Sequence, residues 1–173
     1  QGVRGQHKLP GEFRHSQNWI GGATLRDATF VPPPHHEVQG LMGELEHFLH
    51  NDDIYISELI RIALAHYQFE TIHPFLDGNG RMGRLLITLY LVSKDMLFRP
   101  ALYLSAFFEQ HRATYYNNLS RVSKQNDMKQ WLLFFMVGVI QTSESSISTL
   151  RKISQLKATL EKDILVLGRK QGN

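Results

Sequence analysis

The chain of 173 residues contains no cysteine. That excludes a disulfide framework and any thiolate metal site, and it suits a reducing cytosol, so a cytoplasmic protein is expected. No apolar run approaches the roughly 20 residues that span a bilayer. The longest, around Leu85–Val92 and Trp131–Ile140, fall well short, and the opening QGVRGQHKLP lacks a signal-peptide core. No membrane association is expected. Blocks of like charge are also missing. The 19 Lys and Arg and 16 Asp and Glu residues are scattered, with a net charge of +3, so a nucleic-acid partner is not indicated. No initiator Met opens the chain, and a fragment of a longer protein is expected. What is present, 42% hydrophobic and 20% charged residues, is ordinary globular composition for one compact domain.

Residues 1–36 are rich in Gly, Pro and polar side chains and read as loops. Within them Ala23–Val31 carries strand-forming residues, but Pro32 stops extension into a sheet, so a small two-stranded flap is the most expected. From Glu37 onward apolar residues recur at three and four, which predicts helices. The first holds Val38 to Leu49 and the second Ile56 to Tyr67. The mostly apolar Arg81–Val92 is expected at the centre of the core. Beyond Pro100, an amphipathic helix is expected over Ser105–Ser123 and an apolar one over Lys129–Gln141. A single-faced tail helix follows, with Ile147, Leu150, Ile153, Leu156, Leu160, Ile164 and Leu167. The predicted fold class is all-α, a helical bundle with a small β-hairpin flap. Its divisions are loops and flap at 1–36, a helical core at 37–140, and a C-terminal helix at 141–173 that links to a further domain.

The chemistry lies in HPFLDGNGRMGR, residues 73–84. Gly78, Asn79 and Gly80 tolerate unusual φ and precede a helix, so their backbone N–H groups can form an anion nest, aided by the helix dipole. Arg81 and Arg84 lie three apart on the first turn, where guanidinium forks grip phosphate oxygens. Asp77 offers a carboxylate to Mg²⁺ carried by those phosphates. His73 is the group in the segment that exchanges a proton near neutral pH. Alone, a GNG is usually a turn and two such arginines a solvated face. Together, nine specified positions in twelve arise by chance far less than about once in a million windows.

His73, Pro74, Phe75, Asp77, Gly78, Asn79, Gly80, Arg81 and Arg84 resemble the signature of the Fic family, whose members are mostly AMP transferases. GEFR at 11–14, NWIGG at 18–22, TFVPPP at 29–34 and LSAFFEQHRATYYNNL at 104–119 are similar to the bacterial members, so the likeness covers about residues 10–140. The resemblance implies protein adenylyltransfer from ATP with Mg²⁺. His73 would be the general base on a Ser, Thr or Tyr hydroxyl of a target protein. Asp77 would hold the metal. Gly78, Asn79, Gly80, Arg81, Met82, Gly83 and Arg84 would bind the phosphates. Thr29, Phe30 and Val31 would form a flap that docks the target by strand addition. Tyr115 and Tyr116 match an aromatic pair near the adenine pocket, against which stands ordinary core packing. A homodimer is a further candidate partner.

Relatives with other donors or reactions supply the nearest alternatives: UMP, phosphate or phosphocholine transfer, or AMP removal. Gly80 speaks against the kinase-like branch, which carries Lys there. Of a different class is a nucleotide-binding regulatory module without catalysis, against which the intact His73 stands. His35, His36, His47, His50 and His66 with Glu37, Glu44 and Glu46 suggest a metal site only weakly. His47 and His50 read as solvated and His66 as a satisfied core histidine. No good copy of the family's inhibitory (S/T)xxxE(G/N) helix is found, since Ser105 and Glu109 are followed by Gln110. An upstream inhibitory helix is therefore expected, and with it a chain more active than its longer form.

Overall fold

The computed structural model describes residues 11–97, 102 and 104–170, with the side chains of 163 and 165–170 excluded. The reading of residues 1–10 as loop, and the interruption at Pro100, lie outside it. Among the described residues six α-helices follow an irregular N-terminal segment: α1 Val38–His50, α2 Glu58–Ile72, α3 Asn79–Ser93, α4 Leu104–Gln110, α5 Arg112–Gln125 and α6 Met128–Lys170. No described helix is long and apolar enough to cross a membrane.

The centre of the bundle is α2, not α3 as its apolar content predicts. α2 buries Ile62, Ala63, Ala65, His66, Phe69 and Ile72 and packs against α1, α3 and α6. The small Ala63 lets α6 come close enough for Trp131, itself fully buried, to donate its indole N–H to the Ala63 carbonyl at 2.9 Å. α3 buries only one side, through Gly83, Ile87, Tyr90 and Leu91. Met82, Leu85 and Leu89 stay exposed along an open apolar cavity of about 640 Å³, shared with Phe13, Met42 and Leu49. Apolar density alone cannot say which faces are covered.

Two further elements differ from expectation. The amphipathic stretch 105–123 is broken into α4 and α5 at His111, which leaves the helical region (φ −109°, ψ 33°) and turns Nδ1 onto the Phe107 carbonyl at 3.0 Å. The apolar helix and the tail are one continuous α6, so the division at 140/141 falls inside it. At about 1.5 Å per residue its 43 residues run roughly 65 Å. Its first turns bury Trp131 and Phe135. From Ile147 to Ile164 its apolar stripe is exposed.

The expected hairpin flap is reduced to one antiparallel bridge between Ile20 and Phe30, and no β-strand is present among the described residues. The cause is local. Gly21 and Gly22 reverse the chain at φ 72° and 74°, and the Asp27 carboxylate then accepts from the N–H groups of Ala23 (2.8 Å) and Thr24 (2.7 Å) and from the Thr24 hydroxyl. That capping box winds Leu25–Asp27 into a 3₁₀ turn, competing with strand pairing.

Candidate active site

The site begins where α2 stops. His73 takes a left-handed conformation (φ 50°, ψ 60°) as the C-cap, a region in which His is among the better tolerated side chains, and its N–H bonds to the Phe69 carbonyl at 3.0 Å. Pro74 follows, buried and unable to continue the helix. The imidazole is half-buried, with Nδ1 buried and making no hydrogen bond of normal geometry. Burial, the larger cause, and the Arg14 guanidinium both lower its pKa, while the Glu70 backbone opposes them. His73 is therefore neutral near pH 7, the form that can accept a proton.

From there the loop crosses to α3 within five residues, and Asn79 holds it shut. Its side chain is buried. Oδ1 accepts from the Phe75 N–H at 2.8 Å and Nδ2 donates to the Phe75 carbonyl at 2.7 Å. The sequence assigns Asn79 to phosphate binding, yet its side chain is spent on the loop and only its backbone N–H remains for an anion. Gly78, at φ 85°, is the N-cap of α3. The first bond into the helix runs from Met82 N–H to the Gly78 carbonyl at 2.9 Å, so the N–H groups of Asn79, Gly80 and Arg81 have no intrahelical acceptor. An anion fits there.

Arg81 stands largely in solvent, 4.0 Å from the Asp77 carboxylate. Arg84 is held differently, donating through Nε to the Ser105 hydroxyl at 3.1 Å. Asp77 is half-exposed, and its Oδ1 accepts from Gly78 N–H at 2.8 Å. Among the described residues no group of three or more His, Cys, Asp or Glu could hold a metal. One carboxylate beside an anion-binding helix end fits Mg²⁺ that arrives with phosphates and takes its other ligands from them and from water. It does not fit a resident ion.

Beneath α3 lies a buried polar cluster. A Cβ on Gly83 would sit 2.6 Å from Glu70 Oε1 and 3.1 Å from both His66 and Phe69, so only glycine lets α3 approach α2 there. His66 is fully buried in a cluster with the Phe108 and Trp131 rings, with Nδ1 3.0 Å from the Gly83 carbonyl and Nε2 2.9 Å from the Tyr115 hydroxyl. It is the satisfied core histidine that its place in α2 predicts. Desolvation lowers its pKa to about 4, and desolvation raises that of Glu70 to about 7 against the pull of Arg84.

Not every residue named from the sequence gathers here. Tyr115 is 4% exposed and packs in this cluster, so of its two readings the structure gives core packing. Tyr116 is exposed, under the Arg112 guanidinium. Met82 faces the apolar cavity and Gly83 serves helix packing. Thr29 and Val31 are exposed on either side of the bridged Phe30. The loop below them is tied to the site by Asn18, whose Nδ2 donates to Phe75 O at 3.3 Å and reaches His73 O at 3.5 Å. Glu70, Ser105 and the buried Arg14 received no role from sequence reasoning. Arg14 had a signal, its place in GEFR, but no periodicity to mark it as buried.

A model of the Fic/DOC family matches residues 2–91. The protein adenylyltransferase Fic of Aedes aegypti is 34% identical over 125 residues, covering 72% of this chain and 22% of that protein. Its counterpart in Culex quinquefasciatus is 33% identical with the same coverage. This chain thus spans 22% of the length of these curated relatives. Among solved structures, a Fic family protein from Desulfovibrio desulfuricans G20 is similar with a TM-score of 0.72 and 31% identity, over 84% of this chain and 43% of that one. Fic-1 from C. elegans is similar with a TM-score of 0.57 and 25% identity, over 86% of this chain and 38% of that one. With the family match spanning more than half the chain and the same bundle in a solved member, this chain belongs to the Fic/DOC family.

Proposed function

We propose that the chain transfers AMP from ATP to a Ser, Thr or Tyr hydroxyl of a target protein. One observation carries this reading. A single short loop, clamped by Asn79, joins a neutral half-buried imidazole at the end of α2 to three N–H groups without intrahelical acceptors and two arginines at the start of α3. A base thus stands beside an anion site, as transfer from a polyphosphate requires.

His73 takes the proton of the target hydroxyl as its oxygen attacks the α-phosphorus. The bond from that phosphorus to the α–β bridging oxygen breaks, and pyrophosphate leaves with the electron pair. The α3 N-terminus with Arg81 and Arg84 stabilises the charge on the departing phosphates. Asp77 would hold Mg²⁺ on the nucleotide, and the ion supplies charge neutralisation there. Thr29–Val31 receives the target backbone by strand addition. The mosquito relatives named protein adenylyltransferase Fic support the same reaction.

The test is mass spectrometry of lysate proteins incubated with MgATP and either the chain or its His73→Ala variant. AMP adducts on hydroxyl side chains with the chain and none with the variant are expected. Adducts that persist with His73→Ala contradict the reading.

A further inference from the structure

Arg14 is the most deeply buried charged side chain described, at 1% exposure. A guanidinium is taken out of water only where acceptors meet its donors. Here the acceptors are backbone carbonyls from three separate segments. Nε donates to His73 O at 3.0 Å, Nη2 to Pro33 O at 2.5 Å and to Ile72 O at 3.3 Å, and Nη1 to Ser16 O at 3.2 Å. Its own N–H bonds to Pro74 O at 2.8 Å. One side chain therefore joins the last carbonyl of α2, the left-handed cap at His73, and the proline segment that follows Thr29–Val31.

We propose that Arg14 is a positioning residue for the transfer reaction, fixing the His73 backbone and the base of the flap on one rigid frame so that base and target segment meet the nucleotide in register. The proposal rests on the adenylyltransfer reading above. The physical reason for Arg rather than Lys is geometry. A planar fork with five donors serves four carbonyls in different directions, whereas an ammonium has three donors at one point. Misplacing reacting groups by about 1 Å costs on the order of 100-fold in rate, so the frame is a kinetic device as well as a structural one.

A charge held beside the imidazole adds a second consequence. Arg14 is the charged group that lowers the His73 pKa, after desolvation. At this end of α2, Arg84 of α3 acts on Glu70, His66 and Tyr115, and Glu70, with its pKa raised to about 7, titrates there as well. Removing the Arg14 charge lets His73 protonate more readily, so the acid limb of the rate profile moves to higher pH.

The experiment compares the chain with Arg14→Lys and Arg14→Gln, following incorporation from α-labelled ATP into lysate proteins across ATP concentration and pH. Folding is monitored by thermal melts, and the His73 ring is titrated by NMR. Arg14→Lys is expected to lose about 10- to 100-fold in kcat with KM for ATP within about twofold, because the fork is lost while the phosphate site is untouched. Arg14→Gln is expected to lose as much and also to raise the NMR pKa of His73 and shift the acid limb upward. Should neither variant fold, Asn18→Ala, which removes a donor from the His73 carbonyl that Arg14 also serves and from the neighbouring Phe75 carbonyl, is expected to lower kcat at constant KM. Folded variants with unchanged kcat and an unmoved His73 titration overturn the proposal, as does an equal loss of ATP affinity and rate. Failure of the adenylyltransfer reading looks different. Labelling is then independent of His73, while the NMR titration still reads whether Arg14 controls that ring.

Discussion

Asn79 closes on Phe75 from both sides, accepting from its N–H at 2.8 Å and donating to its carbonyl at 2.7 Å. The pair turns the HPFLDGNG loop into a closed ring that sets the distance from His73 to the α3 N-terminus. Asn79→Ala leaves both Phe75 backbone groups without these partners, at a cost of about 1–3 kcal/mol. A lowered thermal midpoint together with nearly complete loss of AMP transfer is expected. Melting curves and labelling rates on one preparation check it, and an Asn79→Ala variant with wild-type rate contradicts the clamp.

That loop was legible in the sequence because its backbone dictates residue types. Gly78 sits at φ 85° and the following helix needs a free N-terminus. The helices were legible from their three-four spacing. Their arrangement was not, since Met82, Leu85 and Leu89 are as apolar as the buried Ile87 and Leu91 yet face an open cavity. Arg14 was illegible for another reason. A lone arginine in a polar segment reads as solvated, and its burial depends on carbonyls at 16, 33, 72 and 73 that only the fold brings together. The expected hairpin shrinks to the Ile20–Phe30 bridge because the Thr24–Asp27 capping box outcompetes strand pairing.

Gly83 marks the closest approach of α3 to α2. A methyl group there meets the buried Glu70 carboxyl at 2.6 Å, and Phe69 and His66 leave it no room. Gly83→Ala is expected to destabilise the chain by about 1–3 kcal/mol, the usual cost of overpacking. Denaturant titration measures it, and an unchanged midpoint contradicts the packing described.

His66 and Glu70 make opposite contributions to acid stability. His66 protonates near 6.5 when unfolded but only near 4 when folded, so its contribution is full above pH 6.5 and is lost as pH falls toward 4. Glu70 protonates near 4.5 unfolded and near 7 folded. Its contribution is full below pH 4.5 and is lost as pH rises toward 7. The two slopes offset. Glu70→Gln removes one of them, so its thermal midpoint is expected to exceed the wild-type value near pH 8 and to fall more steeply between pH 6.5 and 4. Parallel curves for the two proteins contradict this.

The proposed reaction sets Arg81 and Arg84 against the departing β and γ phosphates, and neither side chain is buried. Single Ala substitutions are expected to weaken ATP binding about tenfold, the lower range for charge-assisted hydrogen bonds at a partly exposed site, while leaving AMP binding within twofold. Calorimetry with both nucleotides checks it. Equal losses for ATP and AMP would place the arginines elsewhere on the nucleotide.

The central claim concerns which phosphorus is attacked. The most direct measurement is a pair of labelling reactions in lysate with Mg²⁺, one with α-labelled and one with γ-labelled ATP, each run with the chain and with His73→Ala. Incorporation from the α position alone, abolished by His73→Ala, is the predicted result. Incorporation from the γ position alone, or α label that survives His73→Ala, would contradict it.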